Sequence, residues 1–113
     1  MSSAASVLRA GVYAPVLTPF SKDAQQDIDI PAFRAGILRL AESGVGLVLS
    51  GTLGEGNLLS RDEHRLLVRN AKEVLETNGL HRQIPIIAGA GAGSLKETIA
   101  ITQDAAEEGA DAA

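Results

Sequence analysis

What most constrains this chain is a regular alternation of two kinds of segment. Short runs of Val, Ile and Leu at residues 12–18, 45–50 and 84–88 are separated by stretches whose apolar residues recur at helical spacing. The runs lack strict polar alternation, which suits strands of a parallel sheet buried on both faces. The first helix is expected over residues 31–43. Phe33, Gly36, Ile37, Leu40 and Ala41 share one face, Asp29 is placed to cap it, Pro31 fits its first turn and Gly44 stops it. The second opens on Ser60-Arg-Asp-Glu63, the pattern of a reciprocal capping box. Leu67, Ala71, Val74 and Leu75 supply its buried stripe, and Asn78-Gly79 ends it. The third repeats the device with Ser94-Leu-Lys-Glu97. Its apolar stripe reads Leu95, Thr98, Ile99, Thr102, Ala105 and Ala106, and Gly109 ends it. Asp111-Ala-Ala113 then starts a further apolar segment.

The order is therefore β-α-β-α-β-α with the beginning of a fourth strand. A helix in every crossover implies parallel strands joined in right-handed units. Two α/β architectures use this pattern, the doubly wound sheet and the (β/α)₈ barrel. A barrel takes about 250 residues, so a chain of 113 could form less than half of one.

Composition removes several classes of function. The formal net charge is −4 and the ten Lys and Arg residues are scattered, which leaves no basic patch for nucleic acid. Cysteine is absent, so disulfides, thiolate metal sites and cysteine nucleophiles are excluded. That usage suits a reducing compartment such as the cytoplasm. No stretch approaches the ~20 apolar residues of a membrane span. Residues 1–10 are rich in Ser and Ala, with one Arg and no acid. They read as a flexible tail before a domain over residues 11–113; a short mitochondrial presequence is the alternative.

The segment with most chemical promise is Leu49-Ser-Gly-Thr-Leu-Gly-Glu-Gly56, between a strand and a helix cap. Ligands of parallel α/β folds sit at the carboxyl ends of strands. Gly51, Gly54 and Gly56 let the backbone turn sharply and approach a ligand, and free amides in such a turn can bind a carboxylate. Thr52 adds a hydroxyl. The plain alternative is a turn whose glycines serve geometry alone. A second loop, Gly89-Ala-Gly-Ala-Gly-Ser94, approaches a dinucleotide fingerprint, but Ser94 replaces its third glycine and Asp111 follows a helix-ending glycine. A small nucleotide-binding α/β module stays open on that basis.

The remaining candidates have structural readings. Lys22, in a loop, and Lys72 and Lys96, within helices, are expected to be surface charges. Tyr13, the only tyrosine, is expected to pack rather than donate a proton. His64, near a helix start, is read as partly exposed and His81 as a loop residue. Neither has a partner at metal-ligand spacing, so no metal site is expected. Asp62 and Glu63 complement a helix dipole, and Glu107-Glu108 read as a solvated helix end.

Several of these segments together resemble one family. Gly11-Val-Tyr-Ala-Pro-Val-Leu-Thr-Pro-Phe20 resembles the opening strand of the dihydrodipicolinate synthase / N-acetylneuraminate lyase family, and Ile28-Asp29 its entry to the first helix. Glu42-Ser-Gly-Val-Gly-Leu-Val-Leu-Ser-Gly-Thr-Leu-Gly-Glu55 resembles its most characteristic motif, G-[TS]-[TN]-G-E. Leu59-Ser60 with Glu63-His64, then Pro85-Ile-Ile-Ala-Gly-Ala-Gly91 and Gly109-Ala-Asp-Ala112, follow in the same order.

The resemblance implies a (β/α)₈ (TIM) barrel, of which the first three βα units and the start of the fourth strand are present. It implies a class I aldolase or synthase acting on pyruvate or another 2-oxo acid, a homo-oligomer without metal or organic cofactor. In that family a Lys on the sixth strand forms a Schiff base and a Tyr on the fifth relays protons. Carried onto this sequence, Thr52 is the relay hydroxyl. Leu53 binds the carboxylate through its backbone N–H, and Gly51, Gly54 and Glu55 order the loop. Family members often carry Thr, Ser or Asn where Leu53 stands, so one side-chain contact is lost. Leu53 and the insert at residues 21–27 fit the sugar-acid and hydroxy-oxoglutarate aldolase branches at least as well as the lysine-biosynthetic branch. The Schiff-base Lys and relay Tyr are absent, so the chain by itself is expected to be inactive, as a non-enzymatic truncated remnant would be.

Overall fold

The computed structural model describes Leu8, residues 11–23 and residues 25–113. The tail expected at residues 1–10 lies outside the described residues apart from Leu8. Strands β1 (Tyr13–Pro15), β2 (Gly46–Leu49) and β3 (Ile86–Ala88) alternate with helices α1 (Ile30–Glu42), α2 (Arg61–Thr77) and α3 (Leu95–Glu108). The strands form one parallel sheet in the order β1-β2-β3. Tyr13 stands opposite Gly46, and Leu47 opposite Ile86.

The place of the fourth strand separates the two architectures: the first three strands of a doubly wound sheet also progress in one direction, but its fourth returns beside the first, whereas Ala112 here pairs beside β3. A doubly wound sheet reverses its strand progression and carries helices on both faces. Here each right-handed crossover adds its strand in the same direction, which keeps the helices on one side. Helix α1 packs on β2 and α2, and α2 packs on β3 and α3. The arrangement is an arc of barrel wall. A fourth strand begins where Ala112 pairs in parallel with Ile87, its carbonyl accepting from Ala88 N at 2.9 Å.

The core lies between sheet and helices. Leu47, Leu49, Ile86 and Ala88 pack there with Phe33, Ile37, Leu67, Ala71 and Leu75. Burial on both faces was the expectation, and it holds on one. Val48 and Ile87, which alternate to the other face, are only half-buried. On that open face Tyr13 packs as expected: a Cβ on Gly46 would lie 2.5 Å from its ring.

Local signals account for the helix starts. Asp29 Oδ1 accepts from Ala32 N at 3.1 Å. Ser60 and Glu63 form both halves of the capping box, at 3.1 and 2.8 Å. At α3, Ser94 Oγ accepts from Glu97 N, and Gly109 closes the helix in the left-handed region at φ 104°. No helix among the described residues is long and apolar enough to cross a membrane.

The face of α3 is a correction. Its buried residues are Ile101, Asp104 and Ala105, whereas Leu95 and Ile99 of the expected stripe are 76% and 49% exposed. The neighbour explains this: α2 presents Arg61, Arg65 and Arg69, one per turn, so α3 turns acids toward it. Asp104 accepts from Arg61 and Arg65 at 2.8 Å each, and Glu108 from Arg65 and Arg69 at 2.9 Å each. Glu107 also pairs with Arg65 at 3.0 Å. Glu108 thus belongs to an interhelical ladder rather than a solvated end, while Glu107 pairs with Arg65 and stays exposed to solvent. Bonding to Arg61 holds the Asp104 carboxyl below the ordinary carboxylate range, and bonding to Arg69 does the same for Glu108.

Candidate functional site

The loop at residues 50–59 leaves the carboxyl end of β2 and feeds α2. Its backbone corrects the role expected of its glycines. The left-handed residues are Ser50 (φ 56°) and Glu55 (φ 59°), not Gly51, Gly54 or Gly56. Two of those glycines serve close packing against the chain itself. A Cβ on Gly54 would lie 2.8 Å from Val16 O and 3.2 Å from Ser50 N, and one on Gly56 would collide with the Ser50 carbonyl. At Gly51 the nearest atom is Val48 Cγ1 at 3.8 Å, so that glycine has room.

Side chains from the segment that follows β1 and from α2 pin the loop. Buried Thr18 donates its hydroxyl to Gly54 O at 2.6 Å. His64 Nε2 lies 2.9 Å from Gly56 O, and because a carbonyl only accepts, the ring donates there. His64 is therefore a buried anchor, 5% exposed, rather than the partly exposed residue expected. Its spacing to Leu67 and Ala71 is that of the buried stripe, a signal available in the sequence. Thr18 carried no such signal beyond its place in an apolar run. Within the loop, Glu55 N donates to Thr52 O at 3.1 Å and Gly56 N to Gly51 O at 3.0 Å.

With the base of the loop held, Thr52, Leu53 and Glu55 are exposed. The Glu55 carbonyl accepts from Leu58 N at 2.9 Å. Between this loop and the β3–α3 loop lies a cavity of about 540 Å³, lined in part by Ser50, Gly51, Thr52, His64, Gly91 and Glu97. Ser50 Oγ is buried there without a hydrogen-bond partner among the described residues.

The other candidates do not line this cavity. Lys22 and Lys96 are exposed, and Lys72 is half-buried on α2, its methylene stem against Gly109. Asp111 accepts from Ile86 N at 2.8 Å, at the start of β3 rather than beyond its carboxyl end, where a ribose would need it. Among the described residues no three His, Asp or Glu side chains gather as a metal set.

The sequence profile of the dihydrodipicolinate synthetase family matches residues 8–113. The chain belongs to that family. It is 38% identical to an L-threo-3-deoxy-hexylosonate aldolase of Aspergillus niger over 105 residues, 92% of this chain and 31% of that protein. It is 32% identical to a 4-hydroxy-tetrahydrodipicolinate synthase of Methanoculleus marisnigri over 104 residues, 91% of this chain and 34% of that protein. The crystal structure of YagE from E. coli K12, a prophage protein of the dihydrodipicolinic acid synthase family in complex with pyruvate, matches with a TM-score of 0.77. That likeness has 32% identity and covers 92% of this chain and 33% of YagE. The chain thus spans about a third of the length of these dihydrodipicolinate synthetase relatives.

Proposed function

We propose that residues 11–113 form the first three βα units and the opening of the fourth strand of a (β/α)₈ barrel that performs Schiff-base aldol chemistry on a 2-oxo acid. The observation that carries this is the β2–α2 loop, pinned at its base by Thr18 and His64 while Thr52 and Leu53 stand exposed. In this reading the Leu53 N–H binds the carboxylate of pyruvate or of a longer 2-oxo acid. The family match and the pyruvate found with YagE support that ligand class.

The chemistry needs a neutral amine beside the bound ketone. A lysine on a later strand attacks the carbonyl carbon, water leaves, and the resulting imine accepts the electrons of the breaking carbon–carbon bond. In the reverse direction the enamine attacks an aldehyde. Thr52 passes protons between the relay tyrosine and the substrate. No metal or organic cofactor is required. Leu53 offers no hydroxyl, so the carboxylate contact is a main-chain one. Together with the insert at residues 21–27, this favours a sugar-acid or hydroxy-oxoglutarate aldolase over the synthase. The two ends of the insert are joined by Ser21 N donating to Asp27 O at 2.7 Å.

Residues 1–113 alone supply the loop but not the nucleophile. Lys22, Lys72 and Lys96 all lie off the strands, Lys22 and Lys96 exposed to solvent and Lys72 half-buried on α2. Reduction with borohydride in the presence of pyruvate tests the reading. The full-length protein should trap pyruvate covalently, and failure to trap would remove the Schiff base.

A further inference from the structure

We infer that Thr18 is a positioning residue for the substrate carboxylate, acting on the Leu53 N–H through two consecutive peptide planes. The inference rests on the reading of this loop as the carboxylate site.

The connection can be followed atom by atom. The Thr18 hydroxyl donates to Gly54 O at 2.6 Å. That oxygen and the Glu55 N–H belong to the same planar peptide group. Glu55 N donates to Thr52 O at 3.1 Å. That oxygen in turn shares a peptide group with the Leu53 N–H, the proposed carboxylate donor. Each plane accepts at its oxygen and donates at its nitrogen, so each bond polarises the next. Rotating either plane breaks the bonds at both of its ends.

The anchor of this chain is rigid. Thr18 is 6% exposed, and β1 is fixed to β2 by Val16 N donating to Val48 O at 2.9 Å. Gly54 sits so close to Val16 O that only glycine fits, which brings its carbonyl within reach of the hydroxyl. Glu55 holds a left-handed conformation that non-glycine residues rarely adopt. A donor on the preceding carbonyl holds the peptide in that orientation. The segment leaving β1 therefore sets the direction of an amide on the loop of β2, and Thr18 never touches the ligand.

The test is the pyruvate dependence of borohydride trapping in the full-length protein, compared with Thr18→Val and Thr18→Ser. Valine keeps the shape and removes the donor; serine restores it. Losing one neutral hydrogen bond's worth of orientation should raise half-saturating pyruvate about tenfold, with the limiting trapping rate within about twofold. Thr18→Ser should return half-saturation to within about threefold of the unaltered protein. A merely structural residue would lower the amount of active protein without moving half-saturation. An unchanged half-saturation in Thr18→Val, with normal trapping by the unaltered protein, overturns this inference alone. No trapping by the unaltered protein overturns the functional reading and this inference with it. If Thr18→Val does not fold, Thr18→Cys is read on the same criterion. Loss of folding in both makes the hydroxyl a stability element only and overturns the proposal.

Discussion

The carbonyl oxygen of Ser50 fills the space in which a Cβ on Gly56 would stand, and a Cβ on Gly89 would meet the same oxygen. Two βα loops thus close on one atom. Gly56→Ala and Gly89→Ala should each destabilise the full-length protein by about 1–3 kcal/mol or more, because backbone rather than a side-chain tip must yield. Gly51→Ala should stay within about 0.5 kcal/mol. Urea denaturation of the three variants checks this; equal losses at all three positions would contradict the close packing.

Thr52 should separate from these glycines by its effect. Its side chain is exposed, so Thr52→Val should leave the melting temperature nearly unchanged. If its hydroxyl is on the proton path, turnover of the full-length protein should fall by about 10²–10³. Steady-state rates beside a thermal melt make the comparison, and unchanged turnover would remove Thr52 from the mechanism.

The ladder between α2 and α3 gives a pH dependence of known sign. Asp104 and Glu108 have folded pKa values below their ordinary ones, set mainly by Arg61 and Arg69 respectively. Their contribution is present in full above the ordinary values of 3.8 and 4.5 and is lost as pH falls through the lower folded values. Stability should therefore decline below about pH 4.5, and Asp104→Asn should flatten that decline while lowering stability at pH 7. Denaturation midpoints across pH 2–7 measure it. A decline of the same steepness in Asp104→Asn would contradict the assignment.

How much of this was legible depended on the range of the interaction. The caps at Asp29, Ser60 and Ser94 were readable because each is satisfied within three residues of itself. The buried face of α2 was readable because it meets an apolar sheet. The face of α3 was not, because its partner surface is a row of arginines that only the fold brings alongside. The loop motif located the candidate site. The reason for Gly56 did not show, since the clash is with Ser50 after a turn whose left-handed residues are not glycines. His64 was misjudged because its nearness to the helix start outweighed its place in the stripe. Thr18 was invisible, because its partner is 36 residues away.

The open sheet face yields a prediction for the isolated 113-residue chain. Leu17 is 67% exposed, and Val48 and Ile87 are half-covered. With β1 at the edge of the sheet formed by the described residues, that surface favours association. The isolated chain should sediment with a concentration-dependent mass and bind an apolar dye. A monomer with one sharp cooperative melt would contradict this.

Borohydride reduction with pyruvate, followed by peptide mapping, tests the central claim most directly. The full-length protein should carry one pyruvate-derived adduct on a lysine outside residues 1–113, lost in the presence of a competing 2-oxo acid analogue. The 113-residue chain, treated in parallel, should carry none, because Lys22, Lys72 and Lys96 lie off the strands and none of them lines the cavity beside Thr52. A stoichiometric, competable adduct on any of those three lysines would contradict the account.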